Sequence, residues 1–123
     1  MSDIFCKNVE KLTLQNKNYR NVKYTHQKGL QFVLMSLQPN EEIGMEVHKN
    51  LDQFIRIEKG TGELHIKNDN KIKKYKLSDG TGLIIPSNTY HNIICNGKEE
   101  LKLYTIYSRP EHEDGMIQIK KPE

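Results

Sequence analysis

The sequence predicts an all-β domain, closed or double-sheeted. Three observations carry this. Short apolar runs between Tyr19 and Tyr107 are separated by turn residues at regular spacing, several of the runs alternate between apolar and polar, and no long helical period interrupts them. At 123 residues there is room for one core and not for two ordinary ones. A hydrophobic content of 35% with 28% charged residues suits a thin-walled barrel whose outer faces are solvated.

Taken in order, residues 1–18 show only a weak apolar pattern (Val9, Leu12, Leu14) and read as an N-terminal arm, extended or a single helical turn. The barrel is expected over 19–110. Tyr19 to Thr25 is its first strand, and Gly29 turns the chain into Leu30 to Leu37, whose near-continuous apolar run marks a well-buried strand. After Pro39 and Asn40 a strand is expected to run through His48, followed by a loop over 49–52 and a strand from Gln53 to Lys59. Gly60-Thr61-Gly62 is a turn. Asn68-Asp69-Asn70, residues that tolerate positive φ, would close a hairpin between 62–67 and 71–77. Ser78-Asp79-Gly80 leads to a strand over 81–85, Pro86 to Thr89 to a strand over 91–96, and Gly97 to Glu100 to the last strand, Leu101 to Tyr107. The polar tail, 111–123, is expected on the surface, with His112 able to reach back to the barrel mouth.

Composition excludes several function classes. The formal charge of +3 is spread along the chain, and the one dense basic group, Lys71, Lys73, Lys74 and Lys76, reads as the soluble face of a hairpin that blunts an edge strand. No nucleic-acid partner is expected. Cys6 and Cys95 cannot build a disulfide framework, no signal peptide is visible, and no apolar run approaches the roughly twenty residues of a membrane helix. The chain therefore reads as cytoplasmic and soluble, with no membrane partner and with Cys95 as a small core residue.

The chemistry-bearing residues cluster in two stretches, Gly44 to Gly60 and Gly80 to Asn96. Successive side chains of a strand point to opposite faces, so Glu46 and His48 share a face. By the same parity Gln53 lies with Ile55 and Ile57, opposite Phe54, Arg56 and Glu58, and His91 lies with Ile93 and Cys95. In the second and third rows a polar residue heads an aliphatic row, as at the mouth of a small barrel. Outward parity makes Arg56 a surface ion-pair partner for Glu58 or Glu63. Two imidazoles, a carboxylate and an amide oxygen form a mixed N/O set suited to Mn²⁺, Fe²⁺, Ni²⁺, Co²⁺ or Zn²⁺. The bland alternative is a hydrogen-bonded polar pocket without metal.

These stretches resemble the paired motifs of the cupin superfamily. His48, four residues, Gln53, six residues and Gly60 keep the spacing of its first motif; Gly80, five residues, Pro86, one residue, Asn88, two residues and His91 keep that of its second. Glu46 stands where His is usual, Gln53 where Glu is usual and Asn88 where Gly is usual, and Asn96 comes one residue late. Phrases such as Asp-Gln-Phe-Ile-Arg-Ile-Glu-Lys-Gly and Leu-Lys-Leu-Tyr-Thr-Ile-Tyr-Ser-Arg-Pro look like small single-domain cupins, a group often labelled mannose-6-phosphate-isomerase-like on fold resemblance. The resemblance covers roughly 18–115. It implies a double-stranded β-helix, or jelly roll, with metal ligands Glu46, His48, Gln53 and His91, and an arm that packs on a second subunit of a homodimer.

Functionally, the resemblance implies a small-molecule ligand or substrate. The expected chemistry is Lewis-acid catalysis by the metal, such as isomerisation of a sugar-like or carbonyl-bearing molecule, with an iron-dependent oxygenase and a non-enzymatic binding barrel as the other readings. Tyr104 and Tyr107 have opposite parity, so only one can face the cavity. Tyr104 and His26 are the candidates for proton transfer.

Overall fold

The structure, a computed structural model, describes residues 4–123; the first three residues of the expected arm lie outside the described residues. Nine strands and one short helix are ordered along these residues. The helix α1 (Val9–Gln15) settles the form of the arm. Asn8 caps it, its side chain accepting from the Lys11 amide at 3.0 Å, Glu10 favours the positive helix start, and Asn16 ends it in an extended conformation. The strands are β1 (Arg20–Thr25), β2 (Gln31–Leu37), β3 (Gln53–Lys59), β4 (Gly62–Asn68), β5 (Lys71–Leu77), β6 (Gly82–Ile85), β7 (Tyr90–Cys95), β8 (Leu101–Tyr107) and β9 (Ile117–Gln118).

They form two antiparallel sheets, β6-β3-β8-β2-β1-β9 and β5-β4-β7, the two layers of a jelly-roll sandwich. The core lies between them, with Val33, Met35, Ile55, Ile57, Ile93 and Leu103 almost wholly out of water. Each such Ile or Leu contributes roughly 1.5–3 kcal/mol through burial. All seven residues of β2 are buried because both of its faces are covered. The inner face meets the core. On the outer face α1 packs across β2, β3 and β8, the Lys102 ammonium donates to the Asn16 carbonyl and Ser36 hydroxyl, and Phe5 stacks on Phe32.

Two departures from the sequence reading have clear causes. The segment through His48 is not a regular strand. Gly44 takes φ 106°, and its amide donates to the Asn92 side chain at 2.8 Å in place of a ladder partner, so only isolated bridges, Glu42 with Ile94 and Glu46 with His91, tie the segment to β7. The tail is exposed but also structural, since β9 pairs with β1 through Arg20–Gln118 and Asn21–Ile117. No helix is long and apolar enough to cross a membrane.

Gly60 is a glycine that both the packing and the backbone demand. Its φ is 99°, and a Cβ there would lie 2.5 Å from the Glu100 carbonyl oxygen, whereas a Cβ on Gly44 would meet nothing within 4 Å. Gly60→Ala is expected to cost about 1–3 kcal/mol or more in urea unfolding, and clearly more than Gly44→Ala, where only the backbone strain applies. Equal losses would mean that the close approach to Glu100 is not rigid.

Candidate metal centre

The site starts from one backbone pair. The Glu46 amide donates to the His91 carbonyl and the His91 amide to the Glu46 carbonyl, both at 2.9 Å, which sets the two residues directly opposite each other. His48 follows two residues on, anchored by its carbonyl, which accepts from the Asn88 amide at 2.7 Å. Asn88 has φ 66°, a conformation that Asn tolerates better than most residues and that the glycine usual at this place in the motif adopts freely.

Side chains then converge. Glu46 Oε1 lies 3.4 Å from His48 Nε2 and 3.5 Å from His91 Nε2, the imidazole centroids are 5.4 Å apart, and the three ligand atoms fall within 4.8 Å of one another. These spacings are long for hydrogen bonds. They match the separation of two atoms that each stand about 2.1 Å from a shared ion. Both rings are held from behind: His91 Nδ1 meets the Thr89 carbonyl oxygen at 2.8 Å, and His48 Nδ1 meets Glu111 Oε2 at 3.1 Å. With a proton on each Nδ1, both Nε2 atoms turn lone pairs inward.

Gln53 opens β3 almost fully buried. Its amide nitrogen donates to Thr105 Oγ1 at 2.9 Å, and that hydroxyl gives its own proton to the Phe54 carbonyl at 3.0 Å. The hydroxyl can therefore only accept from Gln53, which fixes the amide with its oxygen pointing away. Among the described residues, four buried side-chain polar atoms lack a hydrogen-bond partner, and three of them are His48 Nε2, His91 Nε2 and Gln53 Oε1. Each such atom costs roughly 1–3 kcal/mol unless something satisfies it. Two imidazole lone pairs beside a carboxylate fit a cation, and an N/O donor set of this kind fits a borderline divalent one.

The charges respond to one another. Burial works to raise the Glu46 carboxyl, but contact with His48 and His91 outweighs it and holds the group down at about 2. Glu46 in turn raises His48 above the usual histidine value. Burial raises the Tyr107 hydroxyl, and burial aided by the Arg20 charge lowers His112 to about 4. These two side chains meet, Tyr107 OH lying 3.3 Å from His112 Nε2, and the Tyr107 ring stands edge-on to His48 at 5.7 Å. A polar cavity of about 490 Å³ lies beside His48, with Lys49, Arg109 and Glu111 on its walls.

Of the residues singled out from sequence, the structure gathers Glu46, His48 and His91 and aims an unpartnered Gln53 oxygen from the head of the β3 core row. Tyr104 and His26 stand apart. Tyr104 faces outward, its ring 5.3 Å from Phe32 and 6.2 Å from Phe54, and it is Tyr107, of opposite parity, that turns inward. His26 sits exposed in the turn between β1 and β2. Arg56 pairs outward with Glu58. Sequence reasoning missed Gln31 and Glu111, and of the pair it left open it favoured Tyr104 over Tyr107. The signal for Gln31 was present, since it heads a buried run as Gln53 does, and both pair in register with Tyr107. Glu111 falls in the family-like phrase Ser-Arg-Pro-Glu-His, but no periodicity or motif spacing marks it as a site residue.

The cupin domain model matches residues 33–107, well over half of the chain. This chain belongs to the cupin family. It is 43% identical over 125 residues to uncharacterized protein L612 of Acanthamoeba polyphaga mimivirus, covering 99% of this cupin and 76% of that protein. It is 37% identical over 121 residues to uncharacterized protein YrkC of Bacillus subtilis (strain 168), covering 97% of this cupin and 64% of YrkC. The crystal structure of BH2720 from Bacillus halodurans superposes with a TM-score of 0.89 at 38% identity, covering 94% of this cupin and 88% of that chain. None of these names states an activity.

The half-buried, uncharged His112 has a consequence for metal-free protein. The unfolded chain takes up the histidine proton near pH 6.5, whereas the folded chain resists until about pH 4, so more protons are bound in the unfolded state across that window. Stability falls as pH drops through it, and His112→Gln is expected to flatten that slope in chelator-treated protein. Parallel pH profiles for variant and wild type in denaturant titrations would contradict this.

Proposed function

We propose that this cupin holds one divalent transition-metal ion through Glu46, His48, Gln53 and His91 and acts on a small oxygen-bearing molecule bound beside it. The observation that carries the reading is the convergence of unpartnered, buried His48 Nε2 and His91 Nε2 on the Glu46 carboxylate; Gln53, whose buried amide oxygen also has no partner, is the proposed fourth donor. A bound ion would supply Lewis acidity to a carbonyl or enediol oxygen, the chemistry of a sugar-type isomerisation. Glu46, the single anionic ligand, lies partly open to solvent while both imidazoles are nearly buried, so the chain holds the ion from below and leaves the mouth side accessible. Lys49 and Arg109 on the neighbouring cavity favour a ligand that carries negative charge. A pure binding barrel is the second reading. The placement of Tyr104 and His26 away from the site favours it, because the proton shuttle expected of an isomerase is not supplied by them.

The ligand assignment predicts about one equivalent of first-row metal in protein purified without a metal-binding tag, measured by elemental analysis. His48→Ala and His91→Ala should each lose it with the fold retained, and Gln53→Ala should weaken affinity less, a neutral amide being the weakest of the four donors. Full occupancy in either histidine variant overturns the assignment. Iron in the wild type directs the next assay to dioxygen chemistry, zinc or manganese to isomerisation, and absence of turnover with metal bound favours the binder.

The homodimer is retained as part of this proposal. Ile4 is 89% exposed and Leu30 56% exposed beside the arm, more apolar surface than a lone chain needs there. Light scattering at micromolar concentration should report twice the chain mass of 14.4 kDa; a strict monomer removes the arm's proposed role.

A further inference from the structure

We propose that Glu111, from the polar segment after β8, orients His48 with Nε2 toward the site, and that buried Gln31 is what holds Glu111 in place. The inference rests on the metal reading above for its consequence, and on geometry alone for the orientation.

The two imidazoles are oriented by different means. His91 finds its Nδ1 acceptor in the Thr89 carbonyl, two residues back in its own turn, so any chain that makes the turn makes the contact. His48 has no such backbone acceptor; its Nδ1 meets Glu111 Oε2, sixty-three positions later in the chain by subtraction of the residue numbers. An acceptor that distant is useful only if something fixes the segment that carries it.

Gln31 supplies that fixity. It is wholly buried at the head of β2, and its amide oxygen accepts from the Glu111 amide at 2.9 Å and the His112 amide at 3.0 Å. Its amide nitrogen donates to the His112 carbonyl at 2.7 Å and to Thr25 Oγ1 at 2.9 Å. All four hydrogen-bonding places of the amide are filled, three of them by the backbone of Glu111 and His112. In a fully satisfied buried amide the hydrogen bonds offset the desolvation cost, and here they pin two consecutive residues of an otherwise exposed segment. The Tyr107 hydroxyl at His112 Nε2 adds a second tie.

The consequence concerns the tautomer. Carboxylates face both ring nitrogens of His48, but Glu111 Oε2 stands 3.1 Å from Nδ1, within hydrogen-bond reach, and Glu46 Oε1 stands 3.4 Å from Nε2, beyond it, so the proton of neutral His48 is held on Nδ1 and the lone pair on Nε2. Without Glu111, the proton is free to sit on Nε2, the form that cannot ligate. Removing partners of this kind typically lowers metal affinity about 10- to 100-fold.

The test uses full-length protein and two readouts, with folding checked by circular dichroism. In metal-free protein at alkaline pH, ¹⁵N shifts of the imidazole nitrogens should show His48 protonated at Nδ1 in the wild type and in Glu111→Gln, whose amide oxygen still accepts, but not in Glu111→Ala. Zn²⁺ titration against a competing chelator should show Glu111→Ala weaker by about 10- to 100-fold and Glu111→Gln in between. Gln31→Leu should resemble Glu111→Ala, and the double variant should bind no more weakly than the worse single variant, because both act through one contact. If Gln31→Leu does not fold, Glu111→Ala, altered at the surface, still decides. A wild-type tautomer together with wild-type affinity in Glu111→Ala overturns the proposal, as do additive losses in the double variant for the part assigned to Gln31. Wild-type protein that binds no Zn²⁺ yet shows the Glu111-dependent tautomer sinks the metal reading and sustains Glu111 as the group that orients His48.

Discussion

The reciprocal hydrogen bonds between the backbones of Glu46 and His91 are the constraint on which this molecule depends. Two segments distant in sequence meet at that pair, and because the two residues stand directly opposite one another, their side chains project to the same side. Regular pairing does not extend along the segment. Gly44 turns out of the strand conformation, and the Asn92 amide takes the place of the missing ladder partner, its nitrogen reaching Glu42 and its oxygen the Gly44 amide. The chain is thereby free to swing His48 over the mouth, where Asn88, in a left-handed conformation, catches its carbonyl.

Beneath the histidines lies a polar rung. Gln31, Tyr107 and Gln53 are neighbours in register across β2, β8 and β3, and each is nearly or wholly buried at the end of an aliphatic row. Their polar groups are disposed differently. Gln31 is fully satisfied and ties down the segment that follows Pro110, whereas Gln53 spends its nitrogen on Thr105 and leaves its oxygen unmatched. An amide satisfied on one side only is costly in a core, which is why the unmatched Gln53 oxygen is assigned to the proposed ion.

Much of this was legible in the sequence, and for identifiable reasons. Period-two patterning places Gln53, Ile55 and Ile57 on one face and Phe54, Arg56 and Glu58 on the other, and burial along β3 follows that alternation. The same rule places His91 with Ile93 and Cys95. What patterning cannot carry is contact between residues far apart in sequence whose own segments lack a period. The Glu111 contact to His48 belongs to that class, as does the pairing of β9 with β1, which rests on two register positions in a polar tail. Helix α1 was ambiguous for a different reason: seven residues are too few to display a helical period, and its stability comes from the Asn8 cap and from packing on the outer sheet. Tyr104 and Tyr107 show the limit of parity, which says that only one can face inward but not which.

The central claim is that the unpartnered lone pairs of His48, His91 and Gln53, together with the Glu46 carboxylate, share one ion. Anomalous diffraction from crystals soaked in Co²⁺ tests it most directly. The account predicts a single strong peak within bonding distance of His48 Nε2, His91 Nε2 and a Glu46 carboxylate oxygen, with Gln53 Oε1 facing it. A well-ordered site with no peak there, or a peak bound by other residues, would contradict it.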